Sequence, residues 1–546
     1  MAVEPRVRAV ARIALEIGRA HMDNAIRRRG AVAAALVSLA IGTVAASGPA
    51  LAVDSPAEVS AVPIPAGQVE AAVAQLDGIA AEYMRRSGVP GMSIAVVHND
   101  AVVYAKGFGV RSVDTGAPVD ENTVFQVASL SKPVGATVVA RAVGQGRVKW
   151  DDRVVRYLPW FALKDRDTTR QVTIADLYSH RSGLPLHAGD LLEDLGYSRA
   201  QVLRRLRHVP LAPIRAEYAY TNFGLTAAAE AVAGAAGTSW PNLSRRTLYR
   251  PLGMTSTSSR YRDYLRASNR AVLHVPTTNG WAARYRRNPE AQSPAGGVSS
   301  TAADMARWMR LQLADGAFEG RRLVASGALT AMRTPHSVSN PPATPASRSS
   351  FYGLGIGIGD DAAGRVRFSH SGAFFLGAST RVIMLPSENL GIVVLTNGSP
   401  VGLPEAVGAT FMDLAEFGRV ERDWLTGFAA LFAASLENPS RLAGRRRPDD
   451  PRPARRASAY VGTYANSYFG SARIVRRAGR LTMLLGPKNQ AYRLRHWNGD
   501  TFSYRPRGEN ALGITAVTFR AARDGRAASF LVENLDEEGL GRFTRR

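Results

Sequence analysis

Two groups of strand-like sequence, at residues 91–107 and 352–396, bracket a region of about residues 129–312 whose apolar positions recur mainly with helical spacing. Strands leave backbone N–H and C=O groups that other strands best satisfy, and strands at both ends of a region with helices between them suggest that the two groups share one sheet. One antiparallel sheet, assembled from both ends of the region and flanked by helices, with a helical subdomain inserted, meets that demand: an α+β fold. In the first group, residues 91–97 and 101–107 flank His98-Asn99-Asp100, a hairpin signal that makes His98 a turn residue rather than a catalyst. The second group offers strands at 352–358, 366–370, 378–385 and 391–396, and a helical pattern at 69–86 precedes the whole.

At the seam lies Phe125-Gln126-Val127-Ala128-Ser129-Leu130-Ser131-Lys132, an apolar run that turns helical at a serine with a lysine three residues on. A hydroxyl at a helix start sits beside unpaired N–H groups and the positive end of the helix dipole, which favour an alkoxide and the oxyanion its attack creates. Serine is a weak nucleophile until a base takes its proton; a neutral lysine can do so and an arginine cannot. Of 69 Lys plus Arg residues only Lys106, Lys132, Lys149, Lys164 and Lys488 are lysines, and Lys132 alone follows a serine by three. The motif also fits a helix cap followed by a surface lysine, so it needs company.

Residues 405–436 look helical, and residues 441–458 form a Pro/Arg-rich run with the composition of an unfolded tether, hence a linker and a domain boundary. Beyond it the period changes to two, at 460–464, 472–476, 481–485, 492–497, 501–504, 516–520 and 529–533, with Asn498-Gly499 and Asp524-Gly525 as tight turns. A C-terminal antiparallel β meander, closed or nearly closed into a barrel, is expected over 459–546.

The chain's start reads as an address. Arg27-Arg28-Arg29 precedes an apolar segment at 31–46, and Ala50-Leu51-Ala52 offers a cleavage site before Val53, so residues 1–52 resemble a secretory signal peptide. An uncleaved anchor is the alternative, and Met22 would give a more ordinary start. Residues 53–65 read as a tether, residues 66–440 as the main domain. Export, to the periplasm or outside the cell, is the expectation. The absence of cysteine excludes disulfides, thiol catalysis and Cys-ligated metal, no His-Glu-x-x-His occurs, and neither metal nor cofactor is expected. The net charge of +24 is scattered, and an exported protein meets anionic headgroups and wall polymers before nucleic acid; an anionic envelope surface is the expected macromolecular contact, and oligomeric state is not legible.

Two further stretches supply what an activated serine needs. Tyr218-Ala219-Tyr220-Thr221-Asn222-Phe223-Gly224 sets a phenol two residues from an amide, and Phe368-Ser369-His370-Ser371-Gly372-Ala373 sets a histidine and a close-approach glycine at a strand end. With Ser129-x-x-Lys132, in this order, and with framework stretches at 177–185, 251–254 and 294–301, residues 68–417 resemble the serine β-lactamase and penicillin-binding-protein family, in the branch of class C β-lactamases, D-peptidases and esterases. The resemblance implies that Ser129 forms an acyl-enzyme, that Lys132 and Tyr220 share acid/base work, and that Asn222 and His370 contact a small-molecule or peptide substrate. It also implies that Ser129 and Ala373 N–H groups form an oxyanion hole and that Gly372 leaves room for substrate along its strand. His370 departs from the lysine usual in β-lactamases and points toward the D-peptidase side; His180 reads as a buried structural histidine. The C-terminal region resembles the lipocalin-like β domain of some branch members. The expected activity is a D-peptidase or D-carboxypeptidase, with a carboxylesterase or β-lactamase as the rival enzymes and an acylated sensor or anionic-polymer binder as the non-catalytic rival.

Overall fold

A computed structural model describes residues 62–546; the leader, the cleavage site and most of the tether lie outside the described residues. The main domain is built on eight antiparallel strands: β1 (Gly91–His98), β2 (Ala101–Gly109), β3 (Ser337–Asn340), β4 (Ser350–Tyr352), β5 (Gly357–Asp360), β6 (Val366–Phe374), β7 (Ala378–Leu385) and β8 (Leu390–Thr396). Their order across the sheet is β2-β1-β8-β7-β6-β5-β4-β3. The two groups of strand-like sequence therefore join where β1 meets β8, from Met92 opposite Thr396 to His98 opposite Leu390.

The central strands read as unbroken apolar runs because both faces are covered. Met92, Ile94 and Val96 enter one core with α1 (Gln68–Ala74), α2 (Leu76–Ser87) and a C-terminal helix, α9 (Leu403–Phe417), while Ala95 and Val97 face the other. That second core holds α3 (Ser131–Gly144), α4 (Ile174–Tyr178), α5 (Asp190–Asp194), α6 (Asn222–Ala235), α7 (Ser293–Gly296) and α8 (Ala302–Leu313), most of them in the inserted helical region. Asn99 and Asp100 take φ 49° and 62°, the two left-handed residues of the β1–β2 hairpin.

Three elements differ from the sequence reading. The run 352–358 is not one strand: β4 ends at Tyr352, Gly353 N donates to Ile356 O at 2.8 Å, and β5 starts at Gly357. Gly355, at φ 82°, forms this turn, and a Cβ there would fall 2.9 Å from Ala136 Cβ of α3, so these glycines serve close approach rather than strand pairing. The helix at 405–436 is two, α9 and α10 (Trp424–Ser435), because Gly418 ends α9 in the left-handed region at φ 69°. In the C-terminal domain nine strands form, β9 (Gly462–Asn466), β10 (Gly470–Arg477), β11 (Arg480–Leu485), β12 (Gln490–Arg493), β13 (Arg495–Asn498), β14 (Thr501–Tyr504), β15 (Thr515–Ala521), β16 (Ala527–Val532) and β17 (Arg542–Arg545).

The C-terminal order is β12-β11-β10-β9-β17-β16-β15-β14-β13, an antiparallel barrel-like sheet whose two end strands, β12 and β13, are neighbours in the chain. The single run expected at 492–497 breaks at Leu494, whose N–H turns to Leu481 O at 3.0 Å. β17 shows no apolar run; its Phe543 alone is fully buried, between β9 and β16. The Pro/Arg-rich linker lies along this domain rather than free of it: Arg452 N donates to Asn498 Oδ1 and Arg452 O accepts from Gly499 N, both at 2.8 Å. The domain docks on the helical subdomain, where Tyr197 Oη donates to Phe469 O at 2.7 Å and Asp194 accepts from Glu509 N and Asn510 N at 2.9 Å.

Candidate active site

Ser129 sits in a one-turn 3-10 helix, Ala128–Leu130, between the Phe125–Gln126 strand, paired with Ser299–Ser300, and α3. The turn is pinned from several sides. Thr380 Oγ1 of β7 donates to Val127 O at 2.9 Å, and Ser131 Oγ accepts from Val298 N at 2.9 Å while donating to Ala128 O at 2.6 Å. Ala128 is held at φ 48°, a conformation a side-chain-bearing residue keeps only when its surroundings fix it.

Lys132, in the first turn of α3, is completely buried, and its Nζ reaches Ser129 Oγ at 3.0 Å, Asn222 Oδ1 at 2.7 Å and Ala295 O at 3.0 Å. Burial lowers its pKa from 10.5 to about 7, with the charge of Asp190 opposing. Two of the three partners are an amide oxygen and a backbone carbonyl, which can only accept. A neutral amine has two N–H bonds and one lone pair; satisfying those two oxygens leaves the lone pair for the Ser129 hydroxyl. Tyr220 Oη donates to the same Ser129 Oγ at 2.9 Å, and its ring lies 4.4 Å from Lys132 Nζ. Burial pushes the Tyr220 phenol well above its usual range, so it stays protonated and serves as a donor. Tyr218, the other phenol of the motif, packs instead on His180 and Tyr352.

Asn222, the first residue of α6, is oriented from behind: its Nδ2 donates to Asp190 Oδ2 at 2.8 Å, which fixes Oδ1 toward Lys132. Asp190 is buried at the start of α5 and also receives His187 Nδ1 at 3.0 Å. Neither Asp190 nor His187 was singled out in the sequence, where the loop at 186–199 carries no motif; nor was the Ala295 carbonyl, although the framework stretch at 294–301 supplies it.

His370 lies on β6 with Nδ1 2.6 Å from Ser371 O and Nε2 2.8 Å from Tyr352 Oη. A carbonyl only accepts, so Nδ1 carries the proton and Nε2 accepts from the tyrosine. Burial lowers the ring to about 3, and His370 is neutral. Gly372 does not open space for a ligand: a Cβ there would fall 2.4 Å from Thr380 Oγ1, 2.5 Å from Val127 O and 2.9 Å from Ser129 N. The vacancy is filled by the turn that carries Ser129, which brings that turn against β6 next to Ala373. Pairing of β6 with β5 ends at Ser369, so residues 370–374 keep one strand edge unpaired by β5. His180 is buried among Tyr218, Tyr220 and Tyr352, its Nδ1 accepting from Thr221 N at 3.2 Å, and so props the tyrosine wall of the site.

The C-terminal domain reaches the end of this strand. Glu509 accepts a hydrogen bond from Phe375 N, and the buried Arg287, with its guanidinium 5.0 Å from the Phe374 ring centroid, joins Glu509 to Glu193. Burial pushes Glu509 up to about 7 despite that arginine.

Comparison with known proteins shows the family and the fold. The β-lactamase family profile matches residues 76–417, and a domain of unknown function, DUF3471, matches residues 446–542. Penicillin-binding protein 4 of Amycolatopsis lactamdurans is 30% identical over 318 residues, which cover 57% of this chain and 81% of that protein. The octameric penicillin-binding protein homologue from Pyrococcus abyssi superposes with a TM-score of 0.55 at 17% identity, covering 87% of this chain and all of that one. SurE, solved with D-Leu, gives a TM-score of 0.51 at 21% identity over 88% of this chain and 100% of its own. The two structures speak for the fold, the sequence match for the family: the chain belongs to the β-lactamase family, as a serine-hydrolase-type enzyme carrying a separate C-terminal β domain.

Proposed function

We propose that the protein is an exported hydrolase that forms an acyl-enzyme on Ser129 and cleaves amide or ester bonds in peptides containing D-residues. The observation that carries this reading is the buried Lys132 Nζ, 3.0 Å from Ser129 Oγ with Asn222 Oδ1 and Ala295 O as its other partners, a set that lets the neutral amine give its two hydrogens to those oxygens and its lone pair to the hydroxyl. On this reading Lys132 takes the hydroxyl proton as Oγ adds to the substrate carbonyl carbon. The N–H groups of Ser129 and Ala373 hold the resulting oxyanion, the proton passes through the Lys132–Tyr220 pair to the departing amine or alkoxide, and water, deprotonated by the same lysine, then frees the acid. The free edge of β6 pairs the substrate backbone.

Neutral His370 favours this substrate class over β-lactams, since it offers no positive charge to a carboxylate beside the scissile bond. The D-Leu held by SurE and the kinship with a penicillin-binding protein point the same way. The C-terminal domain fits a lipocalin-like module by its barrel-like sheet. Purified protein offered D-amino-acid amides, L-amino-acid amides, p-nitrophenyl esters and a chromogenic cephalosporin should turn over the D-amides and leave the cephalosporin nearly untouched; preference for L-amides or for the cephalosporin overturns the assignment. Export is tested by sequencing the protein's N-terminus from cells, expected at Val53.

A further inference from the structure

The C-terminal domain carries a second concave site that the hydrolytic reading leaves unused. Beside the two end strands of the sheet, between β12, β13 and the end of β14, lies an open hollow of about 450 Å³ lined by the exposed Arg447, Arg493, Arg495, Arg505 and Arg507 and, among the described residues, by no acidic one. The five arginines come from three separate places: the linker, the β12–β13 break at Leu494, and the loop after β14.

Among the described residues none of the five forms an ion pair. The domain's own ion pairs lie elsewhere, Arg441 with Glu533 and Arg455 with Asp500. Within the cavity Arg507 donates to Ala491 O at 3.2 Å and stacks 5.4 Å from the Tyr492 ring, and Arg447 donates to His496 Nδ1 at 3.3 Å. These contacts hold guanidinium groups in place with neutral partners, which positions them without neutralising them. His496 is committed as well, since its Nε2 donates to Gly499 O at 3.0 Å and so leaves Nδ1 to accept. Like charges gathered around one hollow give it a positive potential that draws anions to it. Guanidinium forks match the geometry of phosphate oxygens, and a hollow of this size suits a compact multivalent group better than a flat surface.

We propose that this cavity binds a phosphate-type oxyanion, as a free small molecule or as a repeating unit of a phosphodiester polymer. The loop carrying Arg505 and Arg507 continues to Glu509, which accepts from Phe375 N just past the end of β6 and so ties the hollow's loop to the main domain.

Calorimetric titration of the full chain with pyrophosphate and with a synthetic glycerol-phosphate oligomer tests this at low and moderate salt. Both probes should bind, with affinity falling as salt rises. A much tighter oligomer marks the polymer as the source, and equal affinities mark the free anion. Two double variants, Arg493→Ala with Arg495→Ala at the β12–β13 break and Arg505→Ala with Arg507→Ala in the loop after β14, should each weaken binding at least ten-fold with hydrolysis of a p-nitrophenyl ester unchanged. Arg520→Ala with Arg523→Ala, exposed arginines outside the cavity, should have less than a two-fold effect. The proposal fails if neither probe binds at millimolar concentration, if either cavity pair keeps wild-type affinity, or if the outside pair costs as much as the cavity pairs.

Discussion

Replacing Lys132 by methionine removes the group that the proposed mechanism relies on to deprotonate Ser129, and the burial of that lysine sets the pH range in which the effect is read. Lys132 is completely buried with its pKa at about 7 against an ordinary 10.5, a preference for the neutral amine of about 5 kcal/mol. Between those two values the unfolded chain holds the proton and the folded chain does not, so this residue makes stability rise with pH from about 7 to about 10.5. The same titration governs acylation. At pH 5 only about 1% of a group with a pKa near 7 is neutral, against half at pH 7, so the rate should fall about fifty-fold between them and level off above pH 8. Methionine fits the slot without a charge and should cost about 10²–10⁴-fold or more in acylation. Arginine, which cannot give up its proton, should lose as much activity and also destabilise the fold, as a cation in a slot shaped for a neutral amine. The assay is labelling of Ser129 by a fluorophosphonate, followed by intact mass from pH 5 to 9, with Ser129→Ala as the zero. A wild-type rate flat across that range, or a folded Lys132→Met protein that labels at the wild-type rate, refutes the role of Lys132 as base.

Three further outcomes are expected. Asp190→Asn removes the charge that raises Lys132's pKa and the anchor that orients Asn222, so the midpoint of the acylation profile should move to lower pH and its plateau should drop about ten-fold; an unmoved midpoint places Asp190 outside the site's electrostatics. Gly372→Ala puts a methyl 2.9 Å from Ser129 N and should cost roughly 1–3 kcal/mol in thermal or denaturant unfolding along with most acylation, whereas equal stability and labelling would show that the turn and β6 are not packed as described. Brief trypsin treatment should cut first at Arg445–Arg447, exposed in the linker, and the two fragments should still co-elute from a sizing column through the Tyr197 and Asp194 contacts; separation would mean that the domains are only tethered.

Most of the hydrolytic site is legible in the sequence because its parts are fixed by local chemistry. Serine and lysine one turn apart need only a helix to bring them to one face, and Tyr220 and Asn222 straddle the start of another. What the sequence hides is the choice of role. Nothing in Phe368–Ala373 says that His370 is neutral, because that follows from Ser371 O and Tyr352 Oη on either side of the ring. Gly372 shows a demand for space but not whose backbone fills it. Asp190 and His187 act through Asn222 across more than thirty residues and carry no periodic or motif signal. In the fold, the glycine-spaced run at 352–358 imitates strand alternation while two of its glycines form a turn, and β17 is too polar for its pattern to show. The linker's composition reads as unfolded because polar contacts, to Glu533, His496, Asn498 and Asp500, hold it against the domain and leave no apolar period in its sequence.

The pairing of β1 with β8 places residue 92 beside residue 396 in the middle of the main sheet. During synthesis the β1–β2 hairpin emerges early with one long apolar edge exposed, and no strand that can cover it exists until about three hundred residues later. Contacts of such sequence separation make folding slow and leave an aggregation-prone edge waiting. The C-terminal sheet is mostly stitched between consecutive strands and can form quickly once made, although it is made last. A chain cut anywhere before β8 therefore holds neither the sheet nor the site. The proposed export therefore requires that the first strands stay unfolded or guarded until nearly the whole hydrolytic domain is available.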